Sequence, residues 1–228
     1  MNNVQLAKKE ILIHADAKQV WQALTIPEQR NRWETKECRL DLRIGGNIYL
    51  DYGWNVTYAG TFTEITPYEK LVTVDPDGYT TSWLIQPVER GCLVQIEYTG
   101  NWSDDEQYKK ENMLFGTYQF LLNFKGILEG KQDIRPSFWK SWIGVLNQTE
   151  SDRVRVVKVI PGTPAADILQ PDDYLLKVND QSVFHYDKAE QIVTHSEVGS
   201  EIRLLIERDC EPLTVTLHTV AFGTRLHS

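Results

Sequence analysis

The sequence lacks any long apolar run. Its N-terminus, MNNVQLAKKEILIHADAKQVW, has no apolar core of signal-peptide length. No segment approaches the roughly 20 consecutive apolar residues that a membrane-spanning helix needs. We therefore expect a cytoplasmic protein without a membrane span, and the 228 residues are enough for two domains.

A basic patch is also missing. The formal net charge is −8, and a cut after Arg135 leaves −4 on each side, from 15 basic and 19 acidic residues before it and 9 and 13 after it. Binding to a phosphate backbone requires clustered Lys and Arg side chains. We expect no nucleic-acid partner.

Motifs of catalytic and metal chemistry are absent as well. Cys38, Cys92 and Cys210 are far apart and show no metal-type spacing, so we expect reduced thiols. The sequence has no His-Glu-x-x-His, no Gly-x-Ser-x-Gly and no phosphate-binding loop, and its five histidines are isolated. We predict no catalytic residue, no metal and no cofactor, so the sequence gives no argument for an enzyme.

The first half does contain a regular series of elements. Ile11 and Ile13 alternate with polar neighbours, as in a half-buried strand, and Asp16 can cap the helix that follows. Roughly six strands come next with short links, including a glycine turn at Gly45-Gly46, which predicts an antiparallel sheet. Residues 103–130 then repeat apolar side chains at helical spacing, which predicts one long helix.

Three ordered motifs in this half are ADAKQVWQALTIPEQRNRWE, LDLRIGGNIYL and GTFTEITPYEKLV. Together they resemble the heat-shock-protein-90 ATPase activator homologue family, over residues 6–132. That family belongs to the SRPBCC (START-like) superfamily. The resemblance implies an α+β helix-grip fold, in which an antiparallel sheet surrounds a long C-terminal helix and a cavity lies between them.

The cavity implied by this resemblance would take a hydrophobic small molecule. Apolar walls with a few polar groups are typical of small-ligand pockets. The candidate lining residues are Trp54, Phe62, Glu64, Trp83, Ile85, Tyr98, Leu114, Tyr118 and Leu121. Each apolar member is also explained as core filling, and Glu64 as part of a surface pair, so both alternatives stay open.

The second half alternates strands with short helices, and its segment VVKVIPGTPAADILQPDDYLLKVNDQSV resembles the PDZ domains of bacterial HtrA-type and carboxy-terminal-processing proteases. The run Pro161-Gly162-Thr163-Pro164-Ala165-Ala166 matches the Pro-Gly-Ser-Pro-Ala-Ala pattern of that family. Residues 141–220 would form a small PDZ-like β-sandwich or barrel. Two turns depart from the pattern, at Asp172 and at Asn179-Asp180, both remote from the expected groove.

In that family the segment before the second strand binds a C-terminal carboxylate, and Trp142-Ile143-Gly144-Val145, within SWIGV at residues 141–145, falls in this position. A carboxylate needs successive N–H groups turned toward it, and a glycine leaves such a loop open. The peptide would add as a strand beside Val145–Asn147, and its last side chain would enter a pocket formed by Ile143, Val145 and the helix YDKAEQIVTH. The predicted peptide-binding residues are Trp142, Ile143, Gly144, Val145, Ala189, Ile192 and Val193. A purely structural PDZ domain is the alternative.

We predict a helix-grip domain at residues 1–132, a linker at 133–140, a PDZ-like domain at 141–220 and a tail at 221–228. Phe138 and Trp139 in the linker should dock on one of the domains. We interpret the chain as a non-enzymatic binding or adaptor protein that holds an apolar small molecule or a protein surface and binds an extended peptide or C-terminus. The alternatives are a cyclase- or hydratase-type enzyme, which needs two polar side chains facing each other in the cavity, and a co-chaperone.

Overall fold

The computed structural model describes residues 5–100 and 106–225. The chain forms two compact units, each of them continuous in space but not in sequence. The first contains the residues up to 103 together with 113–135, and the second contains 104–112 together with 136 onward. The α+β fold class is confirmed, since a large antiparallel sheet with a long helix is followed by a small β-rich unit.

The first unit is built on a seven-stranded antiparallel sheet in the order β1-β7-β6-β5-β4-β3-β2. Its strands are β1 (Gln5–Ile13), β2 (Glu37–Leu40), β3 (Asn47–Gly53), β4 (Val56–Thr66), β5 (Lys70–Val74), β6 (Thr80–Val88) and β7 (Gly91–Gly100). Its helices are α1 (Ala17–Thr25), α2 (Pro27–Arg30) and residues 113–128 of α3 (Gln107–Leu128). Each strand pairs with the next along the chain except β1, which closes the sheet against β7.

The start of α1 follows from a capping box. The Asp16 carboxylate accepts a hydrogen bond from the Gln19 N–H at 2.7 Å, and the Gln19 side-chain oxygen accepts one from the Asp16 N–H at 3.1 Å. Both donors would otherwise lack a partner at the first turn. Pro27 then stands at the first position of α2, where its missing N–H costs nothing.

The core of the first unit is held by aromatic rings on the loop after α2, on β6 and on α3. Trp33 stacks on Phe124 with 4.1 Å between ring centroids, and Trp83 meets the edge of Trp33 at 5.9 Å. The buried Asn123 on α3 donates to the Trp33 carbonyl at 2.8 Å and accepts from the Ile134 N–H at 2.9 Å. The Asn123 amide therefore links α3 to Trp33, which precedes the helix in sequence, and to Ile134, which follows it.

The second unit contains a sheet in the order β14-β13-β11-β10-β9, a short strand β12 beside β11, and a separate pair of β8 with β15. Its strands are β8 (Ser141–Trp142), β9 (Val145–Glu150), β10 (Arg153–Val159), β11 (Tyr174–Val178), β12 (Gln181–Ser182), β13 (Glu201–Arg208), β14 (Glu211–His218) and β15 (Val220–Ala221). The helix α4 (Tyr186–Thr194) buries Ala189 and Val193 in the core of this unit. Because β9 pairs only with β10 among the strands of the described residues, its other edge carries no further strand of that part of the chain.

The segment predicted as a linker includes a buried aromatic residue. Phe138 is 4% exposed, and its ring contacts that of Trp139 edge-on at 5.5 Å. The ring centroids of Trp139 and Phe222, which belong to the same unit, are 6.3 Å apart. Over residues 5–100 and 106–225, no helix is both long and apolar enough to cross a membrane.

Candidate functional site

A small cavity lies inside the first unit, with a volume of about 60 Å³. This is room for a few water molecules and well below the hundreds of Å³ that a drug-sized ligand fills. Apolar side chains of β3, β5, β6 and β7 form part of its wall. The remainder is polar and includes Arg30, Glu34 and the tyrosines Tyr52, Tyr58 and Tyr98.

Arg30 and Glu34 form a buried ion pair at this cavity. Arg30 ends α2 and Glu34 lies one turn later, so the Arg30 Nε donates to Glu34 Oε2 at 2.5 Å. Arg30 Nη1 also donates to the Leu24 carbonyl at 3.1 Å. Burial lowers the pKa of the Arg30 guanidinium, but the Glu34 carboxylate more than offsets this, so that pKa lies above its ordinary value. The cavity therefore contains a fixed positive and a fixed negative group.

The three tyrosine hydroxyls supply neutral hydrogen-bonding groups. Tyr98 Oη lies 3.0 Å from Thr117 Oγ1, and Tyr58 Oη lies 2.8 Å from Thr73 Oγ1. Burial raises the pKa of all three tyrosines, so they stay protonated at neutral pH. Together with the ion pair, they make the cavity far more polar than the apolar ligand site that the sequence predicts.

The second candidate site is the loop before β9 in the second unit. The Ile143 carbonyl accepts a hydrogen bond from the Ala165 N–H at 3.0 Å, and the Gly144 carbonyl accepts one from the Ile160 N–H at 2.8 Å. In a trans peptide the N–H points opposite to the carbonyl of the preceding residue. The N–H groups of Gly144 and Val145 therefore point away from the unit. No described residue accepts a hydrogen bond from the Gly144 N–H.

Gly144 is required here for two physical reasons. Its φ of +87° lies in the left-handed region that side chains disfavour. A Cβ atom on Gly144 would also lie 2.0 Å from Thr163 Oγ1 and 2.2 Å from Thr163 Cβ. Thr163, in the run Pro161–Ala166, thus packs directly against the loop and holds it in place.

A narrow pocket of about 20 Å³ opens beside this loop, between β9 and α4. The loop contributes Trp142, Ile143, Gly144 and Val145, and α4 contributes Ala189 and Val193. Two polar side chains complete it, Asn147 from β9 and Glu190 from α4. Asn147 is 4% exposed, and its Oδ1 has no hydrogen-bond partner among the residues that the structure describes. Burial raises the pKa of Glu190 to about 7.

Comparison with known proteins follows the division into two units. The family model for Activator of Hsp90 ATPase homolog 1-like protein matches residues 14–129, which is 116 of the 228 residues. The chain belongs to this family. A PDZ-domain model matches residues 141–219, so this family member carries a PDZ domain after its family domain. No curated protein matches the sequence.

Solved structures match the Activator of Hsp90 ATPase homolog 1-like part of the chain. A protein from Staphylococcus saprophyticus is 14% identical, covers 57% of this chain and 96% of its own, and gives a TM-score of 0.52, which supports the fold alone. An AHSA1-like protein from Aeromonas hydrophila is 24% identical. The match covers 55% of this chain and 92% of that protein, with a TM-score of 0.48. The Aha1 dimer from Colwellia psychrerythraea is 20% identical. The match covers 55% of this chain and 97% of that chain, and its TM-score is also 0.48.

Of the residues predicted to line the cavity of this family domain, the structure brings only Trp83 and Tyr98 to it. Phe62, Ile85 and Leu121 are buried in the core instead, and Leu114 is half-buried on α3. Trp54 and Tyr118 are exposed, by 55% and 37%. Glu64 pairs with Lys70 at 2.8 Å at the protein surface. The sequence prediction did not include Arg30 and Glu34, the charged groups of the cavity. Their signal in the sequence is a pair of opposite charges four residues apart, with Trp33 between them.

The predicted groove residues lie closer together. Trp142, Ile143, Gly144, Val145, Ala189 and Val193 all line the pocket of the PDZ domain, whereas Ile192 is half-buried and packs against the core. The sequence prediction places Asn147 on the strand beside which the peptide adds, but it names neither Asn147 nor Glu190 as a pocket residue. The sequence does contain a signal for Glu190, because this charged residue follows Ala189 directly and interrupts the apolar spacing of α4. No metal-binding cluster of His, Cys, Asp or Glu occurs within residues 5–100 and 106–225.

Proposed function

We propose that this protein is a binding protein whose PDZ groove captures the C-terminus of a partner protein. The observation that supports this is the pair of successive N–H groups at Gly144 and Val145, which point out of the loop beside the pocket. Two aligned backbone donors form an anion-binding concavity. A peptide carboxylate is an anion that also brings a strand and a side chain for the neighbouring groove.

The edge of β9 supports the same proposal. Strand addition needs backbone groups that no neighbouring strand uses, and β9 is the last strand of its sheet. Its residues alternate in direction, so every second one turns its N–H and carbonyl toward α4. An extended peptide can pair there while its last side chain enters the pocket next to Ile143 and Val193.

The experiment uses the full chain and a displayed library of random hexapeptides with free C-termini. We expect a binding consensus at the C-terminal end, and loss of binding when the selected peptide is synthesised as its C-terminal amide. Val145→Glu places a carboxylate in the groove and should weaken binding by about tenfold or more, since like charges brought together there cost roughly 1.4 kcal/mol or above. Leu146→Glu is the matched control, because Leu146 is equally half-buried on the same strand with its side chain on the opposite face.

Equal binding of acid and amide peptides would contradict the proposal, as would equal loss in the Val145→Glu and Leu146→Glu variants. Circular dichroism of each variant separates loss of fold from loss of binding. Gly144 is unsuitable for this test, because any side chain there strains the loop against Thr163.

A second candidate function rests on the polar cavity of the first unit. The cyclase- or hydratase-type alternative needs facing polar side chains, and Arg30, Glu34 and Tyr52 supply them. A hydrophobic small molecule would instead have to widen a cavity of about 60 Å³. A thermal-shift screen with small carboxylic acids, small carbonyl compounds and fatty acids distinguishes these ligands. A shift that Tyr52→Phe abolishes and Tyr49→Phe, on the same strand, retains would support a polar ligand.

Two expectations from the sequence, the cytoplasmic location and the absence of a nucleic-acid partner, remain predictions, and the co-chaperone role remains an alternative. Chaperone ATPase turnover with and without the purified protein tests the last of these. Unchanged turnover would contradict it.

A further inference from the structure

One end of the groove is already occupied by side chains from the start of α3. Residues 107–112 of this helix belong to the second unit. Glu111 Oε2 accepts a hydrogen bond from the Thr149 N–H at 2.7 Å, and Gln107 Nε2 donates to the Thr149 carbonyl at 2.6 Å. Both backbone groups that Thr149 turns toward the groove are therefore taken.

Further contacts fix the start of α4 to the same place. The Tyr186 N–H donates to Thr149 Oγ1 at 3.0 Å, and Asn112 Nδ2 donates to Tyr186 Oη at 3.0 Å. Gln107 Nε2 also donates to Glu111 Oε1 at 3.2 Å, so the two side chains that hold Thr149 support each other. This end of the groove is a network with several anchors and not a single contact.

The open part of the groove is correspondingly short. Backbone direction alternates along a strand, so Val145 and Asn147 face the same edge as Thr149. A peptide running antiparallel to β9 from the loop would place its last residue beside Val145, its third-from-last beside Asn147 and its fifth-from-last beside Thr149. The last of these positions coincides with Gln107 and Glu111.

We propose that the PDZ groove recognises only the last three residues of its peptide, because Gln107 and Glu111 occupy the backbone site that a longer strand would use. This inference rests on the proposed function. It makes the start of α3 a specificity element of the groove, one that sets the length of the recognised segment.

The test compares peptides taken from the library consensus, synthesised as N-acetylated tripeptides and hexapeptides with free carboxylates. For the wild-type chain we expect the two lengths to bind within about twofold of each other. The Gln107→Ala/Glu111→Ala variant frees Thr149, so the hexapeptide should gain about tenfold over the tripeptide, the effect of one or two backbone hydrogen bonds. Lys109→Ala, an exposed position on the same turn of α3, is the control and should behave as wild type.

A wild-type chain that already binds the hexapeptide five or more times tighter than the tripeptide would overturn the length limit. So would a double variant, folded by circular dichroism, in which the two lengths still bind equally. If no free-carboxylate peptide binds any form of the chain, the proposed function itself fails, which is a different result.

A separate observation concerns the chemistry of the pocket. The buried Asn147 Oδ1 has no partner among the described residues, and the half-buried Glu190 places a carboxyl group in the same pocket from α4. A buried acceptor without a donor is costly, so such groups are normally paired. None of the described residues that line this pocket is a Lys or an Arg. We infer that the bound peptide supplies the missing donor, through a hydroxyl, amide, ammonium or guanidinium group on one of its last three side chains.

The same library tests this inference through its composition. Wild type should enrich donor-bearing side chains, foremost Lys and Arg, at one of the last three positions, and Asn147→Leu/Glu190→Leu should reverse the preference toward aliphatic residues by about tenfold. Ile192→Leu on the same helix is the control and should keep the wild-type consensus. Enrichment of aliphatic side chains at all three positions by the wild-type chain would overturn the inference, while leaving carboxylate capture intact.

Discussion

The two sites differ in how their polar groups are paired. In the cavity of the first unit, polar groups are largely paired within the protein, as Arg30 is with Glu34 and Tyr98 with Thr117. In the groove of the second unit, backbone donors of the loop point outward, and the Asn147 Oδ1 acceptor has no partner within residues 5–100 and 106–225. Groups that pair internally stabilise a fold, whereas groups left unpaired are available to a partner. The comparison predicts that cavity substitutions change stability first and groove substitutions change binding first.

The largest effect is expected from breaking the ion pair. Arg30→Met leaves the Glu34 carboxylate buried without its counter-charge and should lower the free energy of unfolding by about 3 to 5 kcal/mol. Denaturant unfolding followed by tryptophan fluorescence measures it. The double variant Arg30→Met/Glu34→Leu should recover more than half of the loss, and a double variant as unstable as the single one would show that the charge pairing is not the cause.

The next effect concerns the loop. Gly144→Ala suffers both the left-handed φ and the collision with Thr163, and we expect it to destabilise the second unit by about 3 kcal/mol. Gly199→Ala is the matched control, because its φ is +84° but nothing lies within 4 Å of its added Cβ. That variant should lose about 1 kcal/mol. If thermal unfolding shows the same loss of stability in both variants, Thr163 moves aside to accommodate the added Cβ, and the left-handed φ alone accounts for the loss.

A smaller effect is a dependence of stability on pH. The pKa of Glu190 rises from 4.5 to about 7 on folding, so the folded state holds its proton more tightly than the unfolded state. Stability from this group is complete below about pH 4.5 and declines as the pH rises to 7, by about 2 kcal/mol after allowance for partial exposure.

Glu190→Gln removes that decline, so the difference in unfolding free energy between variant and wild type should grow from pH 4.5 to 7. The pKa of the nearby His195 is lowered by burial and acts in the opposite direction, but it is common to both proteins and cancels in the difference. A difference that stays constant over this range would place the Glu190 pKa near its ordinary value.

The smallest effect is expected at Glu64. Its pair with Lys70 is exposed, and such pairs contribute between 0 and about 1 kcal/mol. Glu64→Gln should change unfolding free energy by less than about 0.5 kcal/mol and leave any ligand response of the cavity unchanged. An altered ligand response would restore Glu64 to the site that the sequence predicted.

The fold was predictable because its signals are local. Strand alternation, the Asp16 cap and the spacing along α3 each lie within one element, and the glycine in SWIGV stands at the loop that the resemblance indicated. The reason for that glycine was not visible, since its constraint comes from Thr163, 19 residues later. Trp54 lies in the turn between β3 and β4 with a φ of +50°, so strand alternation does not set the direction of its side chain.

The sites were harder to predict because their polar groups come from distant parts of the chain. Glu111 and Thr149 are 38 residues apart, and nothing in the sequence near either indicates the other. Arg30 and Glu34 are close in sequence but look like an ordinary exposed helix pair until the fold buries them. Burial is a property of the assembled fold. It distinguishes the buried Glu34 from the exposed Glu64, two residues of the same type that the sequence alone does not distinguish.

The closed end of β9 also bears on how this protein behaves at high concentration. An exposed edge strand is a template on which further copies can add and aggregate. With Thr149 held by Gln107 and Glu111, only two backbone sites along β9 remain open, which is too short for a continuous intermolecular sheet. The same two side chains that limit the peptide should therefore also limit strand addition by a second copy at the β9 edge, and a variant lacking both should gain intermolecular pairing at that edge.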